Sequence, residues 1–226
     1  MPTYTPEFAA LKTRLSELGN LIPSGSNTSA SPTPREQDQM SAFVVLAHAA
    51  CEEFMETRTL SVAEGAKTQF DCGGELGRVG KHLCVFPYLE VKDQSDLMKF
   101  ARIVGKSEFG VMASSSFVSS NRADFIKLIH IGFNKYKKSV KDNHGASLKY
   151  QFKLLSKIGF DLSLLGNNFT SRIAQLATYR GEAAHAQVVA ASTIPSPTTL
   201  ATWPRDLIEG YRRMDFRLTS LATRKR

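Results

Sequence analysis

Apolar residues recur every three to four positions along most of this 226-residue chain, and that spacing restricts its fold more than any other feature. A period close to 3.6 residues places apolar side chains on one face of an α-helix, whereas a half-buried strand needs strict alternation. The pattern predicts an all-α fold. The predicted helices span 5–22, 35–60, 122–141, 148–158, 168–189 and 200–222.

Glycine, proline and small polar residues divide these helices into domains. The stretch 24–34 is rich in serine, threonine and proline, a composition typical of a flexible linker. We therefore expect an N-terminal helix within 1–23 and a helical domain over 35–226. Several glycines break up the region 61–121, so we expect an irregular insertion with a few short elements there, one of which could be a short helix at 94–104.

The glycine-rich stretch from Cys72 to His82 resembles a phosphate-binding loop only superficially. Its glycine spacing differs from that of such a loop, and His82 stands where the metal-binding serine or threonine belongs. A turn-rich loop is the better interpretation.

The chain is basic, with a formal net charge of +8, which favours an anionic partner. Nucleic acid is the first choice and an acidic membrane surface the second. The positive charge is concentrated in one segment. Residues 122–157 contain nine lysines and arginines but two aspartates, whereas acidic residues outnumber basic ones in 1–60. The helix at 122–141 could therefore hold an RNA backbone, or simply present a solvated lysine face. Its candidate RNA-binding residues are Lys127, Lys135, Lys137, Lys138 and Lys141.

Several function classes are disfavoured by what the chain lacks. Its cysteines, Cys51, Cys72 and Cys84, form no Cys-x-x-Cys motif, which argues against a zinc ribbon. No cluster of histidine and carboxylate residues has metal-ligand spacing, so we expect neither a metal nor a cofactor. No apolar run reaches the ~18 residues of a membrane span, and the N-terminus does not resemble a signal peptide. We expect a reduced, cytoplasmic protein without a membrane partner.

The most specific chemical suggestion is an arginine and a histidine on one predicted helix, Arg180 and His185. In an ideal helix they lie about 7.5 Å apart along the axis and about 140° apart around it, so both can border one groove. A histidine exchanges protons near neutral pH, and an arginine binds phosphate through forked donors. These are the groups needed to cut RNA by attack of its own 2′-hydroxyl.

Less specific explanations of these residues remain open. Arg180 could pair with Glu53 or Glu182, and His185 could be a packed, hydrogen-bonded histidine. Of the other histidines, His48 is expected to be structural and able to hydrogen-bond Glu52 one turn later. We expect His130 in the core and His144 in a turn.

Two segments resemble the HEPN superfamily of small helical proteins, most closely its RiboL-PSP-type branch from toxin and phage-defence systems. The first runs from Val45 to Phe54 and leads apolar and small residues into a glutamate. The second runs from Leu176 to Ala186 and contains the pattern Arg-x(4–6)-His. The resemblance covers about half the chain, at 36–60 and 145–222. It departs from the family at Gly181, where a polar residue, commonly asparagine, is usual.

The resemblance implies a HEPN-like helical bundle that forms a homodimer and acts as a metal-independent endoribonuclease. Arg180 and His185 would be its catalytic pair, with Glu53 and Glu182 as supporting polar residues. The products would carry 2′,3′-cyclic phosphate and 5′-hydroxyl ends. Such a protein would be a toxin or anti-phage effector, and an antitoxin or a defence-system protein would be its partner.

Two alternatives stay open beside the nuclease. Some members of the superfamily are non-catalytic, and this chain could likewise bind RNA, a nucleotide or a partner protein through Arg180. It could also be an antitoxin-like or assembly subunit whose basic face meets an acidic protein.

Overall fold

The computed structural model of the chain describes residues 4–23, 32–88, 115–185 and 195–223. Within these ranges the backbone forms helices and connecting turns and no strand, which confirms the predicted all-α class. Short 3₁₀ turns occupy Gly19–Leu21, Phe86–Tyr88 and Leu162–Leu164. The α-helices are α1 (Pro6–Leu18), α2 (Pro34–Asp71), α3 (Arg78–Val85), α4 (Ser115–Ser120), α5 (Arg122–Lys141), α6 (Leu148–Lys157), α7 (Asn167–His185), α8 (Pro197–Leu200) and α9 (Trp203–Thr223).

The first two helices begin at side chains that satisfy free backbone N–H groups. Thr5 caps α1 by accepting a hydrogen bond from the N–H of Phe8 at 3.3 Å, and Pro6 occupies the first helical position. Thr33 and Glu36 form a reciprocal capping box at the start of α2. The Glu36 carboxylate accepts from the Thr33 N–H at 2.8 Å, and the Thr33 hydroxyl accepts from the Glu36 N–H at 3.3 Å.

Helix α2 runs past the predicted end at residue 60 to Asp71. Val62, Ala63 and Phe70 are buried, so the apolar stripe continues and keeps the segment helical. The predicted irregular insertion is therefore wrong for 61–71. The turn-rich loop predicted for Cys72–His82 is wrong from Arg78 onward, where α3 begins. A single glycine such as Gly65 is tolerated inside a helix that tertiary packing supports.

The true end of α2 is set by a backbone motif at Gly73. Its φ of 92° lies in the left-handed region that favours glycine. The N–H of Gly74 donates to the Gln69 carbonyl at 2.9 Å, and that of Gly73 donates to the Phe70 carbonyl at 3.1 Å. Two such bonds form a Schellman motif, which satisfies the last carbonyls of a helix. The Arg122 guanidinium also donates to the Phe70 carbonyl and lies 4.3 Å from the Phe70 ring centroid.

The remaining predictions agree with the structure to within a few residues. Helix α5 has the predicted bounds, and α1, α6 and α9 cover most of their predicted segments. Helix α7 matches its prediction as far as His185. The linker at 24–31, the short helix predicted at 94–104 and the stretch 186–194 lie outside the described residues.

The chain divides into two compact units. The first contains Met1–Phe54, Gly145–Leu148 and Leu165–Met214. Its core includes a chain of aromatic rings in which Phe54 and Phe169 both contact Tyr211 edge-on, with centroids 5.1 and 5.0 Å away. Phe8 joins this chain against Phe54 at 6.4 Å. Edge-to-face aromatic pairs add specific geometry to the apolar burial.

The second unit contains Met55–His144, Lys149–Leu164 and Asp215–Arg226. Its core includes Phe70, Leu83, Ile129, Tyr136 and Leu154, all fully buried. It also contains a buried ion pair, in which Arg58 Nε lies 2.6 Å from Asp215 Oδ1. Arg58 reaches the hydroxyl of Thr219 at 2.8 Å with a second nitrogen. A buried charge needs such partners because its desolvation is costly.

None of the helices in the described ranges combines the length and the apolar character that a membrane crossing requires. The three cysteines are free thiols; Cys51 and Cys84 are buried and Cys72 is exposed.

Candidate functional site

Helix α7 carries the candidate pair and is anchored in the first unit by its apolar face. Phe169, Ile173 and Leu176 are buried. Tyr179 packs against Trp203 of α9, with ring centroids 5.9 Å apart. Because these contacts recur along the helix, the position of its C-terminal half is determined by packing rather than by helix propensity.

A polar contact between α7 and α9 complements this packing. The Arg172 guanidinium donates to Asp206 Oδ2 at 2.8 Å and lies 4.8 Å from the Trp203 ring centroid. A planar guanidinium can make both contacts at once, one with its edge and one with its face. Arg172 is thus committed to holding the helix in place.

Arg180, two turns later on α7, is in the opposite situation. Its side chain is exposed, and among the side chains that the structure describes it forms no hydrogen bond or ion pair. The pairing with Glu53 or Glu182 that the sequence left open is therefore not observed. An exposed arginine without an internal partner keeps all its donors available for an incoming anion.

His185 is the last residue of α7, and its side chain lies outside the described part of the structure. The backbone is helical without interruption from Arg180 through Gly181 to His185. Ideal geometry then separates the two Cα positions by about 7.5 Å along the axis. Arg180 and His185 therefore lie on one helix, as the sequence predicted, next to residues 186–194, which lie outside the described part of the structure.

The structure also places His48 close enough to Arg180 for the two side chains to interact electrostatically. His48 lies on α2, is 5% exposed, and accepts a hydrogen bond at Nε2 from the Ala146 N–H at 3.2 Å. Nε2 must therefore be unprotonated, so the neutral ring carries its proton on Nδ1. Nδ1 lies 3.9 Å from Glu52 Oε2, too far for the hydrogen bond that the sequence suggested.

Burial, together with the positive charge of Arg180, lowers the pKa of His48 to about 4. Two consequences follow. His48 is neutral at neutral pH, so it adds no positive charge beside Arg180. Its Nε2 is occupied by the backbone of the Gly145–Leu148 segment, which supports the structural role predicted for it. No short-range sequence pattern connects His48 with Arg180, because the two residues lie on helices far apart in the chain.

The supporting residues suggested by the resemblance are both on the surface. Glu53 of α2 and Glu182 of α7 are exposed. Glu52 rather than Glu53 shares the helix face of His48, since residues four apart are neighbours on a helix. A Cβ added at Gly181 would meet no described atom within 4 Å, so no described side chain packs on this side of α7.

The lysines predicted to bind RNA all lie on the exposed face of α5, in the second unit. Lys127 is 3.3 Å from Asp124, but both side chains are more than 70% exposed, so the pair contributes little. Lys135 donates to the Pro87 carbonyl at 3.3 Å. The exposed members are Lys127, Lys135, Lys137, Lys138 and Lys141.

The other histidines have different environments. His130 was predicted in the core, and this is wrong: its side chain is 45% exposed and its Nε2 lies 3.0 Å from Asp71 Oδ1. Residue 130 lies beside the apolar stripe of α5 rather than within it. The His130 side chain therefore reaches the surface, where it contacts the Asp71 carboxylate. His144 lies exposed in the connection between α5 and α6, as predicted. In the described ranges no three histidine, cysteine or carboxylate residues are grouped to hold a metal ion.

The chain matches no protein-family model, no curated protein and no solved structure. The assignment of a function therefore depends on the residues of the chain itself.

Proposed function

We propose that this protein is a metal-independent endoribonuclease with a HEPN-like helical bundle, and that Arg180 and His185 are its catalytic pair. The observation that carries the proposal is the state of Arg180. It is exposed and without a described internal partner, on a packed helix that also carries His185, at the spacing of the Arg-x(4–6)-His pattern. The resemblance of that pattern to toxin and phage-defence nucleases suggests an effector of that kind.

The chemistry assigned to the pair needs no cofactor. The imidazole of His185 accepts the proton of the ribose 2′-hydroxyl, or donates one to the departing 5′-oxygen. The 2′-oxygen attacks the adjacent phosphorus as the bond to the 5′-oxygen breaks. Arg180 stabilises the extra negative charge on the phosphate in the transition state. The products are a 2′,3′-cyclic phosphate and a 5′-hydroxyl, and no water is consumed.

Because one histidine cannot act as base and acid at the same moment, the proposal includes a homodimer that supplies two pairs. The absence of described atoms within 4 Å of a Cβ at Gly181 supports the homodimer. A second helix can approach closely only where side chains are small. Light scattering at micromolar concentration tests this part, and we expect the mass of a dimer. A monomer that cleaves RNA at the same concentration would contradict the composite site.

The catalytic test compares induced expression of the wild-type chain with that of Arg180→Ala and His185→Ala, followed by sequencing of cellular RNA at 5′-hydroxyl ends. Matched controls remove an arginine and a histidine without the proposed role. Arg205 is 82% exposed on α9, and His144 is exposed in a loop; each is replaced by alanine. The purified proteins are then assayed with and without a chelator of divalent ions.

We expect new 5′-hydroxyl ends with the wild type and both controls, unaffected by the chelator. Losing a general acid or base lowers the rate about 10²–10⁴-fold, and losing an oxyanion donor about 10²–10³-fold. The nuclease proposal fails if all variants produce the same RNA ends while remaining folded. Cleavage that the chelator abolishes would contradict the metal-independent mechanism.

A second function, a non-catalytic module that binds RNA, a nucleotide or a partner protein, is favoured by a different observation. His48, whose pKa the charge of Arg180 helps to lower, is neutral and accepts a backbone hydrogen bond, while α5 exposes five lysines. In this alternative His185→Ala retains most of the affinity for RNA. A nuclease would keep binding in that variant and lose turnover, so binding and cleavage must be measured on the same protein.

A further inference from the structure

Three elements of the second unit meet around the amino group of Lys157, at the last position of α6. Lys157 Nζ donates to the hydroxyl of Ser139 on α5 at 2.6 Å. It also lies 5.5 Å from the ring centroid of Phe86, in the turn that follows α3. The amino group is thus enclosed by a hydroxyl on one side and an aromatic face on another.

The backbone holds Lys157 firmly in this place. Helix α6 ends with the N–H of Phe160 donating to the Leu155 carbonyl at 3.0 Å, and the N–H of Gly159 donating to the Ser156 carbonyl at 3.0 Å. This is a second Schellman motif. The Ser139 hydroxyl is oriented as well, because it donates to the carbonyl of Lys135 one turn earlier at 3.0 Å.

The described residues around this amino group do not balance its positive charge. The amino group donates to a neutral hydroxyl and lies over an aromatic ring. Within the described ranges Lys157 forms no ion pair. Lys153 lies one turn earlier on the same helix, and among the described carboxylates the one with an electrostatic effect on Lys157 is that of the exposed Asp142. The partly desolvated Lys157 amino group therefore has a second lysine acting on it as well as one carboxylate.

The titration of Lys157 agrees with this geometry. Burial and the charge of Lys153 lower the pKa of Lys157, Asp142 acts in the opposite direction, and the pKa that results is about 8. The C-terminal end of a helix ordinarily stabilises a cation. Here burial and the second lysine outweigh that effect, so a bound anion would relieve an unfavourable arrangement.

We propose that Lys157 and Ser139, assisted by Lys153, form a binding site for a phosphate group. A phosphate suits the site because its several acceptor oxygens can receive the ammonium and the hydroxyl together. The Ser139 hydroxyl would turn its proton from the Lys135 carbonyl to the phosphate. The site does not depend on the proposed nuclease, because a protein that cleaves no RNA can still bind phosphate here.

Two probes distinguish the sources of such a group. Inorganic phosphate tests a free anion. A short single-stranded RNA with 2′-O-methyl riboses tests a phosphodiester backbone, and it cannot be cut by 2′-hydroxyl attack. Affinities are measured by calorimetry for phosphate and by fluorescence anisotropy for the oligonucleotide, on the wild type and on Lys157→Met, Ser139→Ala and Lys149→Met. Lys149 is the control, being an exposed lysine of the same helix.

We expect Lys157→Met to weaken at least one probe about tenfold or more, Ser139→Ala to weaken the same probe less, and Lys149→Met to change it less than twofold. Loss with both probes identifies a general phosphate site, and loss with the oligonucleotide alone identifies a backbone site. Equal effects of Lys157→Met and Lys149→Met on both probes would overturn the proposal.

A measurement on the unmutated protein covers the case in which Lys157→Met does not fold. The ¹³Cε resonance of Lys157 is titrated with pH in the absence and presence of each probe. A bound anion favours the charged amine, so its pKa should rise with at least one probe. An unchanged titration with both would overturn the site.

Discussion

Two arginines in different regions of the molecule show how differently a guanidinium can be used. Arg58, in the second unit, is 6% exposed and donates to Asp215 at 2.6 Å and to Thr219 at 2.8 Å. Arg180, in the first unit, is exposed on α7, next to Gly181, whose added Cβ would meet no described atom within 4 Å. One arginine is buried in an interior, and the other is exposed on a helix.

Because the two arginines differ in burial, their removal should have different effects on stability. A buried charge must be matched where it sits, because removing one partner leaves the other desolvated and alone. An exposed charge in water contributes little to stability whether or not it is paired. The loss of Arg180 should therefore be silent in an unfolding experiment, and only binding or catalysis can reveal its role.

The largest expected effect is on the closed interior. Replacing Arg58 by methionine leaves the Asp215 carboxylate buried without its ion-pair partner, and we expect the free energy of unfolding to fall by about 3–5 kcal/mol. Arg180→Met should change it by less than about 0.5 kcal/mol, as for other exposed positions. Urea unfolding of the two variants measures both, and similar losses would refute the contrast.

A double variant tests the cause of that loss. Arg58→Met combined with Asp215→Leu replaces the pair by apolar groups, so most of the lost stability should return. If the double variant is as unstable as the sum of the two single variants, the ion pair is not the reason.

Acid should destabilise both regions through their buried histidines. Burial, together with the charge of Arg78, lowers the pKa of His82, in the second unit, to about 3; the pKa of His48 is about 4. The unfolded chain binds these protons below its ordinary histidine pKa of about 6.5, whereas the folded chain does not. Stability is therefore complete above about pH 6.5 and falls toward pH 4, by about 2–3 kcal/mol per histidine at pH 4.5.

The variant His48→Gln separates the two contributions, since a glutamine oxygen can accept the Ala146 hydrogen bond but does not titrate. Its unfolding free energy should depend less steeply on pH between 6.5 and 4.5 than that of the wild type. His144→Gln is the control, because His144 is exposed, and it should leave the slope unchanged. Parallel pH profiles for the wild type and His48→Gln would show that His48 is not held neutral by burial.

The smallest expected effects come from replacing two glycines by alanine. One glycine is closely packed and the other has no described neighbour at its Cβ position. A Cβ at Gly132 of α5 would fall on the backbone carbonyl of Leu83 in α3, so Gly132→Ala should cost about 1–3 kcal/mol through forced separation of the helices. Gly181→Ala meets no described atom within 4 Å and should stabilise α7 by about 0.5–1 kcal/mol. Thermal unfolding compares them, and a loss of stability in Gly181→Ala would mean that this side of α7 is not open.

Much of the secondary structure followed from periodicity, and its errors have an identifiable cause. Apolar spacing located α5 correctly, because burial on one face is what holds an amphipathic helix. It missed the second part of α2 and the whole of α3 because glycines there were interpreted as breaks. Only Gly73 and Gly74 terminate α2, and they do so because their backbone hydrogen bonds complete a helix end.

The candidate site was predictable only where it is local. Arg180 and His185 lie on one helix, so their spacing was readable from the chain. The burial of His48 beside Arg180 was not, and neither was the pairing of His130 with Asp71. These contacts join residues distant in sequence, and no short-range pattern encodes them.

By itself, then, the sequence determined the helical class, most helix positions, the basic charge and the order of arginine and histidine along α7. The tertiary structure decided which charged groups are used internally. Arg58 is buried against Asp215, His48 is kept neutral, Lys157 is enclosed with Ser139, and Arg180 is left exposed. The physical reason is that periodicity depends on neighbours three or four residues apart, whereas desolvation and charge depend on whatever the folded chain brings alongside.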